Sequence, residues 1–68
     1  MSLKIEIEQE DDGRWIAEVS DLPGVMVYGN SPDEAKAKVK ALVLRTLADR
    51  IENGETEVEQ LDDLFQIA

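Results

Sequence analysis

The sequence predicts an α+β domain with the element order β-β-β-α-β, a mixed sheet with one helix packed on one face. Three observations carry this. From Leu3 to Glu10 the chain alternates, with Leu3, Ile5 and Ile7 between the charged Lys4, Glu6 and Glu8, the period of a strand with one buried face. Ser31-Pro32-Asp33-Glu34 opens a long stretch with apolar residues every three to four positions, the pattern of an amphipathic helix. Leu64-Phe65-Gln66-Ile67 closes the 68-residue chain with a short apolar run, the signature of a brief final strand.

In the first strand Leu3, Ile5 and Ile7 point to one side and Lys4, Glu6 and Glu8 to the other. Asp11-Asp12-Gly13 follows, and Asp-Gly is a favoured composition for a tight primed hairpin turn. The second strand, Arg14 to Ser20, sets Trp15, Ala17 and Val19 on one face and Ile16 and Glu18 on the other. The two strands are expected to pair antiparallel. In Leu22-Pro23-Gly24-Val25, proline presets the φ of the second position of a type II turn and glycine takes the positive φ of the third. Val25 to Tyr28 is the third strand, closed by Gly29-Asn30.

The helix has clear ends. Ser31 is an N-cap, Pro32 fits the first helical position, and Glu34 stands where a capping box needs it. Asp33 and Glu34 sit at the positive end of the helix dipole. Ala35, Val39, Leu42, Val43, Thr46 and Leu47 form the core stripe, and the helix is expected to run to about Asn53, with Gly54 as its left-handed stop. A right-handed crossover would lay the final strand parallel to the first.

Size and composition limit the function. The length allows one domain, spanning 1–68. A chain this short buries only roughly 60% of the surface its unfolded form exposes, so without disulfides a homo-oligomer or an obligate partner is expected. There is no histidine and no cysteine, which removes thiol nucleophiles, imidazole bases and zinc fingers. No run approaches a membrane span, and the charged N-terminus does not read as a signal peptide; a cytoplasmic protein is expected.

Net charge is −9 and unevenly spread. Residues 1–13 carry −4, with one lysine against five acids, and residues 52–68 carry six acids and no base. The span 32–51 carries +2. Such a chain opposes a phosphate backbone, so direct nucleic-acid binding is not expected, and Trp15 reads as core rather than as a base-stacking platform. The acids of the hairpin (Glu6, Glu8, Glu10, Asp11, Asp12) and of the tail (Glu57, Glu59, Asp62, Asp63) form a candidate surface for a basic protein, where charge complementarity would speed association and restrict partner choice.

Catalysis finds little support. Ser2, Ser20, Ser31, Thr46 and Thr56 are the available hydroxyls, none in a nucleophile elbow. Glu6 and Glu8 with Asp62 or Asp63 would be the best cation set, but nothing fixes them around a metal. Gly13, Gly24, Gly29 and Gly54 match no phosphate-binding fingerprint. No catalytic residue, metal or cofactor is expected. Apolar residues off the core faces are more telling: Ile16 and Met26 on the strands, and Leu44 ringed by Ala37, Ala41 and Ala48 on the helix. These are candidate self-association surfaces.

The run Asp12-Gly13-Arg14-Trp15-Ile16-Ala17-Glu18-Val19-Ser20-Asp21-Leu22-Pro23-Gly24-Val25, continued by Tyr28-Gly29-Asn30-Ser31-Pro32-Asp33-Glu34-Ala35 and Gly54-Glu55, resembles the signature of HicB-like proteins over nearly the whole chain. That resemblance implies a partial ribonuclease-H-like domain without a complete acidic active site. It also implies an antitoxin of a type II toxin–antitoxin pair. Such a protein binds a small basic toxin, a messenger-RNA-cleaving ribonuclease, and masks its surface. Two features depart from the family pattern. The chain ends at Ala68, so no C-terminal DNA-binding segment is expected, and Thr56-Glu57-Val58-Glu59 is acidic where the family is often proline-rich. The alternative reading is a stand-alone oligomeric regulatory or scaffold domain that binds another protein or a small ligand without a toxin partner.

Overall fold

The computed structural model describes residues 3–54. Three strands, β1 (Glu6–Gln9), β2 (Trp15–Glu18) and β3 (Met26–Gly29), precede one helix, α1 (Pro32–Glu52). The strands form an antiparallel sheet in the order β1-β2-β3, and α1 lies mainly across β2 and β3. The final strand expected at Leu64–Ile67, which would make the sheet mixed, lies outside the described residues, as do Glu57, Glu59, Asp62 and Asp63.

Strand alternation sets the core. Ile7, Ala17 and Val27 stand side by side across the sheet on the face that α1 covers. Ala17 and Val19 are fully buried, and Leu22 and Val25 join them from the loop between β2 and β3. From the helix come Ala35, Val39, Val43 and Leu47, one residue per turn. Leu3, Ile5, Trp15 and Leu42 pack around this cluster. Val19 and Val39 are the largest side chains with no exposure; burying a valine contributes about 1.5–3 kcal/mol.

The first hairpin departs from the two-residue primed turn that Asp-Gly suggests. The Glu10 N–H donates to the Arg14 carbonyl (2.7 Å) and the Gly13 N–H to the Glu10 carbonyl (3.0 Å). The loop therefore has three residues, Asp11 to Gly13. Among the described residues no non-glycine has a positive φ, whereas Gly13 sits at +91°, as in a type I turn ending on a left-handed residue. The cause is Asp12: its carboxylate accepts from the Arg14 backbone N–H (3.0 Å) and from Arg14 Nε (2.7 Å), which favours a turn with Asp12 at negative φ.

The second connection matches its sequence. The Val25 N–H donates to the Leu22 carbonyl (3.1 Å) and Gly24 has φ +81°, a type II turn on Pro23-Gly24. At the helix ends the Ser31 cap and the Gly54 stop match, whereas the Glu34 carboxylate turns to Lys38 and the Asn30 backbone rather than closing the capping box on the Ser31 N–H. Ser31 Oγ accepts from the Glu34 N–H (3.0 Å), and Gly54 at φ +69° donates to the Ile51 carbonyl (3.1 Å). The Glu34 carboxylate meets Lys38 Nζ at 2.9 Å. That ion pair and the Asn30 backbone N–H hold its pKa below the ordinary 4.5.

The approach of β3 to α1 is the tightest point of the fold. A Cβ built on Gly29 would lie 2.6 Å from the Ala35 backbone nitrogen and 2.9 Å from its Cα. Only a residue without a side chain lets the strand end pass the first turn of the helix.

Candidate functional site

The sheet face turned away from α1 is the most distinctive surface among the described residues. Strand register builds it in two rows. Glu6, Glu18 and Met26 form one; Glu8, Ile16 and Tyr28 form the other. Met26 and Tyr28 are 45% and 39% exposed, and Ile16 is half-buried. Glu6, Glu8, Glu10 and Glu18 border a groove of about 410 Å³ with Ile16 on its wall.

Two-residue spacing along β1 separates Glu6, Glu8 and Glu10 by about 7 Å each. The carboxylates thus spread along the sheet instead of converging, and among the described residues no three acidic groups are placed to hold a metal ion. The face runs from acidic to apolar across the sheet: Glu6 and Glu8 stand on the β1 edge, Glu18 and Ile16 on the central β2, and Met26 and Tyr28 on the β3 edge, a mixture of apolar and charged area like that of protein–protein contacts. Spread carboxylates of this kind match lysine and arginine side chains on an opposing surface.

The hairpin tip divides into two parts. Asp11 is exposed at the tip and is not among the residues that line the groove. Asp12 is committed to Arg14, whose guanidinium carbon lies 4.3 Å from the centre of the Tyr28 ring, within cation–π range. The Arg14 backbone N–H, and then its side chain, hold the Asp12 carboxyl below its ordinary pKa of 3.8. Asp12 therefore acts by positioning Arg14 over Tyr28 and contributes little free negative charge.

The structure separates the six self-association candidates. Ile16 and Met26 lie on the outer sheet face, among acids. Ala37, Ala41, Leu44 and Ala48 lie on α1, on the other side of the molecule, with Leu44 64% exposed. Glu18, Arg14 and Tyr28 are additions to the residues nominated from sequence. Strand alternation alone puts Glu18 beside Ile16, but the β1–β2 register is needed to set it against Glu6. No model of a known protein family, no curated protein and no solved structure matches this chain.

Proposed function

We propose that this chain is a HicB-like antitoxin-type protein, built on a partial ribonuclease-H-like domain. It would bind a small basic messenger-RNA-cleaving toxin in the cytoplasm through the outer sheet face. The observation that carries the reading is one open sheet face that sets an apolar side (Ile16, Met26, Tyr28) against four glutamates, Glu6, Glu8, Glu10 and Glu18. A basic surface that binds RNA must present lysines and arginines. A face of spread carboxylates competes for those same side chains, and the apolar side adds contact that RNA does not supply. The resemblance of the segment from Asp12 to Ala35 to HicB-like sequences names the partner class; the −9 charge supports it.

The test is co-expression with a small lysine-rich, histidine-containing protein encoded beside this chain. Growth rescue together with a stable complex supports the reading. Rescue should fail for the double variant Glu8→Lys/Glu18→Lys, with the variant still folded by circular dichroism. The absence of any such neighbour, or a complex indifferent to both reversals, would favour a stand-alone regulatory domain.

A further inference from the structure

Helix α1 is apolar on two sides. Ala35, Val39, Val43 and Leu47 face the sheet. At 100° per residue, Ala37, Ala41, Leu44, Ala48 and Ile51 centre about 140° from that stripe, on the outside of the molecule. Their spacing is four, three, four, three, the step of a coiled-coil seam. Leu44 and Ile51 are 64% and 40% exposed, so this face leaves two large side chains in water, with alanines between them.

We propose that this seam packs against the same seam of a second copy of the chain, with the two helices antiparallel about a two-fold axis near Thr46. Size and charge select that arrangement. In it Leu44 faces Ala48 of the second copy and Ile51 faces Ala41, so every large residue meets a small one and the helices approach closely. Lys38, already paired with Glu34 on its own helix, then comes near Glu52 of the other copy as well, twice over. The two Arg45 side chains come near the axis, each with Asp49 one turn further along its own helix, where i,i+4 neighbours interact. A parallel, in-register pair would stack Leu44 on Leu44 and alanine on alanine, leaving gaps beside the alanine layers. It would also bring Lys40 against Arg45 of the partner copy on both flanks. The outer sheet face is a poor alternative for self-pairing, since Glu6, Glu8 and Glu18 would oppose their own copies. A two-fold contact uses one patch on both chains and closes at the dimer, which leaves both acidic sheet faces free.

The seam covers two heptads, about 21 Å of helix. This is a small contact beside the 1,200–2,000 Å² of standard-size interfaces, so the dimer is concentration-dependent. Sedimentation equilibrium on the full chain from micromolar to millimolar should show a monomer–dimer equilibrium, and Leu44→Glu should weaken it at least tenfold. Leu44 is mostly exposed, so that variant should keep the wild-type circular dichroism. The chain has no cysteine, so a nitroxide on Lys36→Cys reports helix direction alone. The antiparallel pair sets the two labels about 30 Å apart along the axis, whereas a parallel pair brings them side by side. A chain that stays monomeric, mass that grows past the dimer, an unaltered Leu44→Glu equilibrium, or a short label distance would each overturn the proposal.

Discussion

Glu6 and Glu18 stand directly opposite each other across the β1–β2 ladder, on the face that α1 leaves open. Like charges at opposed positions of an antiparallel pair destabilise it. The fold therefore carries an arrangement on this face that costs stability and that a basic partner would relieve. Glu18→Lys should convert the opposition into an attraction and raise stability by about 0.5 kcal/mol. A urea titration that shows lower stability for Glu18→Lys would contradict the register and the exposed placement of the pair.

Gly29→Ala should destabilise the domain by about 2 kcal/mol, in the range of overpacked sites, because its new methyl would press on the Ala35 backbone. For a domain of this size that lowers the melting temperature by about 8–16 °C. Gly13→Ala has no such contact, since nothing lies within 4 Å of its Cβ position; it carries only the strain of a positive φ, about 1 kcal/mol. Thermal unfolding of the two variants side by side checks the order.

Ser31→Ala removes the oxygen that accepts from the Glu34 N–H and should cost about 1 kcal/mol. Ser31→Asp should retain most of that stability, because an aspartate caps as well and adds charge at the positive end of the helix dipole. Loss of stability in both variants would place the role of Ser31 elsewhere than in the cap.

Asp12 and Glu34 both have carboxyl pKa values below their ordinary 3.8 and 4.5. A lowered folded-state pKa means that the native state holds the carboxylate in preference to the acid. The stabilisation is complete above the unfolded value and is lost as pH falls through the folded one. On acidification, the Asp12–Arg14 turn and the Glu34–Lys38 pair should hold as pH falls through the ordinary values of 3.8 and 4.5 and loosen only below them. Carboxyl chemical shifts followed by NMR should show Asp12 and Glu34 titrating below 3.8 and 4.5, and midpoints at or above those values would contradict both contacts.

Much of the fold is legible in the sequence because the local signals agree with one another. Ser31-Pro32-Asp33-Glu34 and Gly54 mark both helix ends by mechanisms that need no tertiary context, and Leu22-Pro23-Gly24 specifies its turn by the φ each residue permits. The first hairpin is less legible. Asp-Gly fits a two-residue loop as well as a three-residue one, and Asp12 decides between them by bonding Arg14. That choice sets the register, because hairpin pairing follows loop length and a one-residue slip would turn every side chain to the other face. The candidate site inherits the same difficulty. Alternation shows that Glu6, Glu8, Ile16 and Glu18 face outward, but only the register reveals that Glu6 meets Glu18 and that Glu8, Ile16 and Tyr28 share a row. The stacking of Arg14 on Tyr28 is a diagonal contact across the paired strands β2 and β3, beside the Ile16–Tyr28 pair, and it follows from that register rather than from any spacing along the chain.

The acidic sheet face as a binding surface is tested most directly by complex formation with any small basic protein encoded beside this chain, comparing wild type with Glu8→Lys/Glu18→Lys at low and high salt. Stability and binding should move apart: the variant stays at least as stable as wild type by urea titration, yet binds at least tenfold more weakly at low salt, with the difference shrinking as salt screens the charges. Equal affinity for the two proteins at low salt would contradict the account.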